Sequence, residues 1–204
     1  MAYKGLLPYL PGLERELRRS RVTEITDDVW MLEGYVSDRF LFKPASSNIF
    51  LLRDGDSLLV LDTGTYPFYR GRMLEIIRRY RAQGVNRLVL MVTQGHFDHA
   101  CNNDILLESG IGDWGFLLPE PELEVIDMLS NWMQDWRNLE EYYDVYAMFA
   151  LRGPTAVVNL ANRVSPRLAR AVMRSNFKML FRGVVTLAEK AQVLPLAGRV
   201  KRRF

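Results

Sequence analysis

Both histidines of this 204-residue chain fall in one window, His96-Phe97-Asp98-His99, with an aspartate between them. Imidazole nitrogen and carboxylate oxygen are the usual donors to a hydrolytic divalent metal. The wider stretch reads Thr93-Gln94-Gly95-His96-Phe97-Asp98-His99. His96 is a candidate ligand to one ion, and Asp98 with His99 to a second. Two such ions can share a water, lower its pKa and polarise a carbonyl or phosphoryl oxygen. Gln94 offers an amide oxygen, a neutral donor weaker than imidazole for zinc. Gathered on one ion, His96, Asp98 and His99 would make a two-histidine, one-carboxylate set with open positions.

These donors need elements to aim them. A regular strand sends successive side chains to opposite faces, so the three donors call for a tight loop past a strand end. Gly95 would supply unusual backbone angles there, and Ala100 would let the chain pack closely behind. Residues 87–93 form a near-continuous apolar run, as in a strand buried on both faces. Residues 69–83 place Met73, Ile76, Ile77 and Tyr80 at helical spacing, and Gly84 follows as a stop. Residues 48–53 and 57–62 are apolar runs around Asp54-Gly55-Asp56, a hairpin signal. Residues 22–25 and 29–36 alternate as strands around Asp27-Asp28. Strand 57–62, helix 69–83 and strand 87–93 predict a β-α-β unit with parallel strands. Both strand ends then reach one sheet edge, where α/β folds bind ligands. One end carries Asp62-Thr63-Gly64 and the other carries the histidines.

The string Thr-Gln-Gly-His-Phe-Asp-His resembles the Thr-His-x-His-x-Asp-His signature of the metallo-β-lactamase superfamily. Leu-Asp62-Thr63-Gly64 resembles that family's strand-terminal Asp-x-Gly, and Asn48-Ile49-Phe50-Leu51-Leu52 matches its opening strands. The resemblance covers roughly residues 22–120. It implies an αββα sandwich, a divalent metal that is usually zinc (iron and manganese being alternatives), and hydrolysis of an ester, thioester, amide or phosphoester. It places His96 at the first metal and Asp98 with His99 at the second. It makes Asp98 the residue that orients the attacking water, and Asp62 a carboxylate bracing the ligand loop from behind. Gln94 stands where the family has its first histidine, and no histidine follows His99. Asp113, Asp127, Asp135 and Asp144 are carboxylates outside any recognisable motif. The metal centre is therefore expected to be reduced.

The second β-rich half of that fold is not evident. Residues 122–138 and 139–151 read as helices, and Gly153-Pro154 breaks the run. A last helix is expected from Pro166, capped by Ser165, to about Ala191. Arg167, Arg170, Arg174, Lys178 and Arg182 form a basic stripe on it. Only residues 192–200 remain for a late strand. The chain is either shortened or has its second half replaced by helices. Trp132, Trp136, Tyr142, Tyr143 and Tyr146 are read as packing between helices rather than as a pocket. Cys101 is read as a small buried hydrophobe rather than a ligand.

Net charge is +3, but it is uneven. Residues 1–150 hold 15 basic and 23 acidic side chains; residues 151–204 hold 12 basic and one acidic. The favoured reading is that the basic segment neutralises the acidic body. Nucleic acid or an anionic membrane surface is the second reading, since no aromatic-plus-basic motif accompanies the charges. Pro8 and Pro11 interrupt the apolar run 5–13, which suits a signal peptide poorly. No apolar run approaches the roughly 20 residues of a spanning helix. One cysteine fits a reducing compartment, so a cytoplasmic protein is expected.

The expected fold class is α/β (α+β), a metallo-β-lactamase-like αββα sandwich with its first half intact and its second largely helical or incomplete. One domain, 1–204, would contain a core at 22–120, a helical cover at 121–191 and a basic tail at 192–204. A metal-dependent hydrolase acting on a small-molecule substrate is the first functional reading. The second is an inactive member serving as a binding module for an anionic partner, a partner chain or a second copy.

Overall fold

The computed structural model describes residues 20–35, 45–126, 163–165, 167, 171 and 184–195. Within them, seven strands form one sheet in sequence order. β1 (Val22–Thr26), β2 (Val29–Leu32), β3 (Ile49–Asp54) and β4 (Ser57–Leu61) pair with one another in sequence, each pair antiparallel. β3 and β4 form the expected hairpin, with Asp54 opposite Ser57 and a two-residue turn between them. β5 (Arg87–Met91), β6 (Asp113–Pro119) and β7 (Gln192–Leu194) continue the sheet in parallel from β4.

The crossover between β4 and β5 is helix α1 (Pro67–Ala82). Pro67 starts it two residues before the apolar periodicity begins, because proline's fixed φ suits a first helical turn. Gly84 follows the helix at φ 100° and its N–H donates to Arg81 O at 3.1 Å. An L side chain would be strained there, so glycine ends the helix as expected. Tyr69, Met73, Leu74, Ile76, Ile77 and Tyr80 of α1 are buried. They share a core with Ile49, Leu51, Leu58, Val60, Leu88, Leu90, Phe116 and Leu118 of the sheet. Each fully buried aliphatic side chain stabilises by about 1.5–3 kcal/mol.

β5 differs from the expectation of two sealed faces. Leu88 and Leu90 are fully buried, whereas Val89 and Met91 are half-buried. Strand alternation puts these two pairs on opposite faces. The helix side of the sheet is therefore closed, and the other side is partly open.

Three further differences concern the later chain. β6 was not anticipated, although its apolar run after Gly112 is strand-like. Residues 184–187, expected within the last helix, have no regular structure. Leu187 sits at φ 54°, a left-handed conformation incompatible with a continuing helix, and a short 3-10 turn follows at Ala188–Lys190. Residues 192–194, placed in the basic tail but also in the stretch left for a late strand, are a strand paired to β6. Residues 123–126 are helical, as is Arg167, while Ser165 lies outside helix. The remainder of the helices expected over 122–151 and 166–183, with the aromatic cluster and most of the basic stripe, lies outside the described residues. No helix among the described residues is long and apolar enough to cross a membrane.

Candidate metal centre

Parallel pairing sets Leu61 opposite Met91, so the residues just past β4 and β5 meet at one edge. Asp62 N–H donates to Met91 O at 2.9 Å. The Asp62 backbone takes φ 61°, unusual for a residue with a side chain. This conformation belongs to a carboxylate that is 5% exposed and accepts several bonds. Its Oδ1 accepts the Thr93 backbone N–H at 2.7 Å, and its Oδ2 lies 2.8 Å from the Thr93 hydroxyl. Its Oδ2 also lies 2.9 Å from His99 Nδ1. A carboxylate only accepts, so Nδ1 carries the imidazole proton and Nε2 is left as the donor atom for a ligand.

The tight segment expected past β5 takes the form of one helical turn, α2 (Phe97–Ala100). Asp98 and His99 lie within that turn, and His96 is its N-cap residue, in extended conformation. His99 N–H donates to His96 O at 3.0 Å, closing the turn. The Nε2 atom of His99 lies 3.6 Å from Asp98 Oδ2, and both side chains remain partly exposed. Gln94 is an exposed residue between β5 and the turn.

Burial by itself would lower the His99 pKa. The hydrogen bond to Asp62 and the charges of Asp98, Asp62 and Glu122 outweigh it, so the pKa sits above the usual histidine value. The surroundings are thus acidic and favour a cation. Asp98 and His99 present one oxygen and one nitrogen donor 3.6 Å apart. Among the described residues, no three or more His, Cys, Asp and Glu side chains gather in a way that could hold a metal. His96 is not brought into a three-donor group with the other two.

The reason for Gly95 is also different from the expectation. Its φ is not positive; instead a Cβ there would lie 2.7 Å from Glu122 O and from Ile126 N. Glycine is required because the segment after β6 passes directly against the ligand turn. Glu122 adds a contact of its own, accepting the Gly95 N–H at 2.8 Å.

Several supporting residues escaped the sequence reading. Thr93 fixes Asp62, and Ser47 N–H donates to Asp98 O at 3.0 Å. Asn102 donates from Nδ2 to Thr63 O and Gly64 O at 2.8 and 3.0 Å, tying the two strand-end loops together. Two adjacent asparagines after a ligand motif are a usable signal, since a buried amide must find partners. Glu122 carries no such signal. Cys101 is buried, as expected, and burial pushes its thiol well above the usual pKa.

The molecule is thus a mixed α/β protein with a metal-type motif at the carboxyl edge of parallel strands. The sequence profile of the metallo-beta-lactamase superfamily matches residues 43–114. The matched segment is about a third of the chain. Similar solved structures include the FIM-1 metallo-beta-lactamase from Pseudomonas aeruginosa in its mono-zinc form. It is 19% identical, with a TM-score of 0.37, covering 52% of this chain and 44% of that one. A metallo-beta-lactamase from Hirschia baltica is 16% identical, with a TM-score of 0.40 and coverages of 54% and 48%. One from Erythrobacter litoralis, with beta-mercaptoethanol in its active site, is 23% identical, with a TM-score of 0.37 and coverages of 51% and 43%. The chain spans less than half the length of each of these structures. Among curated proteins, none matches.

Proposed function

We propose that this chain is a metal-dependent hydrolase with a reduced metal centre built on Asp98 and His99. The observation that carries this reading is the approach of His99 Nε2 to Asp98 Oδ2 at 3.6 Å, with the far side of the ring fixed by Asp62. Zinc, or iron or manganese in its place, would supply Lewis acidity and a water of lowered pKa. Asp62 holds the imidazole in one tautomer and orientation, which raises its strength as a ligand. Asp98 presents a carboxylate able to orient a water. His96 and Gln94 are the nearby residues available to complete the centre. The substrate class follows the superfamily: a small ester, thioester, amide or phosphoester.

Metal analysis of protein purified without chelators tests the proposal. Bound zinc, iron or manganese is expected, with loss of the metal and of any esterase activity in His99→Ala and Asp98→Ala. Unchanged metal content and activity in both variants would overturn it.

Gln94 at the family's first histidine position, the lack of any histidine after His99 and the basic stripe from Arg167 to Arg182 motivate a second reading, an inactive member acting as a binding module. It predicts self-association or salt-sensitive binding to nucleic acid or anionic lipid. A monomer that binds neither would eliminate it.

A further inference from the structure

Asn103 sits where three stretches of chain meet, and it is fully buried. Its Oδ1 lies 2.8 Å from the Thr63 hydroxyl, which belongs to the loop after β4. Its Nδ2 donates to Thr186 O at 2.8 Å, across 83 residues of sequence. Thr63 in turn donates its backbone N–H to His99 O at 2.7 Å. An unbroken path therefore runs from the backbone of His99, through Thr63 and Asn103, to the chain that leads into β7.

We infer that Asn103 is a positioning residue that couples the ligand turn to the docking of residues 184–194. The inference rests on the reading of Asp98 and His99 as the centre of the site. Two features argue for coupling rather than for simple filling of space. An apolar side chain would fill the same buried volume without needing partners, whereas a buried amide is destabilising once a partner is lost. A buried polar group of this kind fixes one arrangement of its neighbours. The second feature is Leu187, the residue after the bonded carbonyl. It is 7% exposed and held at φ 54°. A non-glycine residue persists in that conformation only where its surroundings over-determine it. Here the surroundings are the Asn103 bond on one side and the buried Leu187 side chain on the other. The strand β7 follows after one short turn and pairs with β6. Release of Thr186 would thus free both the edge strand and one support of the ligand turn.

Asn103→Asp tests the coupling in the full-length chain. The substitution keeps the acceptor for Thr63 but removes the donor to Thr186 and sets a carboxylate against a carbonyl. Amide hydrogen exchange should rise at least tenfold in residues 93–103 and in residues 184–194 together. Cobalt(II) added alone, followed by its visible absorption, should bind at least tenfold more weakly. Thr63→Val removes the hydroxyl that bonds Asn103 from the other side: exchange should rise in 184–194 as well as in 93–103. This second variant decides the matter if Asn103→Asp does not fold. Faster exchange in 184–194 alone, with residues 93–103 and cobalt affinity unchanged, would overturn the inference. So would no change in either segment, or a rise confined to residues 93–103 in Thr63→Val. If the wild type itself binds no cobalt, the metal reading fails, and the exchange pattern still judges the coupling.

Discussion

His99 Nδ1 and Asp62 Oδ2 stand 2.9 Å apart across the gap between two parallel strand ends. The same carboxylate receives the Thr93 backbone N–H and hydroxyl. One side chain thereby fixes the ring orientation, the tautomer and the separation of the two loops. Asp62→Ala removes all three bonds. It should destabilise the fold by about 3–5 kcal/mol, the range for breaking a buried charged pair. Chemical denaturation measures this, and a loss below 1 kcal/mol would refute the role. Metal affinity, if present in the wild type, should fall by about 10–100-fold.

Gly95→Ala tests the close approach of the segment after β6. The new methyl would lie 2.7 Å from two backbone atoms, which cannot turn aside as a flexible side chain would. Overpacking of this kind costs about 1–3 kcal/mol. A thermal midpoint equal to the wild type would mean that the two segments are not in contact.

Gln94→His separates a nearly complete metal centre from one that lacks its other half. An added imidazole should raise zinc affinity about tenfold or more if the remaining donors are in place. Competition against a chromophoric chelator reads this directly. Equal affinity in variant and wild type would favour the binding-module reading.

Cys101 should be inert in the native protein, because it is 3% exposed. A maleimide reagent should label it only after addition of denaturant. Rapid labelling without denaturant would show that the turn containing His99 opens readily.

Asp104 offers a test against pH. Its carboxyl pKa is raised, chiefly by burial, although Arg70 opposes the shift. The folded state therefore takes up this proton at a higher pH than the unfolded state does. The contribution of Asp104 to stability accordingly rises as pH falls through the folded-state pKa, and levels off below the unfolded value. Asp104→Asn should lose this acid-side gain. Parallel urea titrations from pH 7 to pH 4 measure it, and identical pH profiles for the two proteins would exclude it.

Much of the edge that carries the candidate centre was legible in the sequence. The hairpin, α1 and the parallel β4 and β5 followed from apolar spacing, and together they set Asp62 beside His99. Periodicity reports which way a segment faces, and these segments are short and strongly patterned. The later chain was less legible. Arg167 to Leu187 carries a helical pattern, yet Leu187 is turned into the left-handed region by contacts made elsewhere. Nor could spacing show that Gly95 is required by Glu122 and Ile126, since that demand comes from 27 and 31 positions away. Tertiary contact of this range leaves no mark on local pattern.

The bond from Asn103 to Thr186 spans 83 residues. A ribosome therefore releases the metal-type motif long before the residues that brace it exist. The nascent protein must hold its histidine turn half-supported during that interval. Long-range closure of this kind is slow to reach, so the emerging chain has a period in which shielding by a chaperone would matter most.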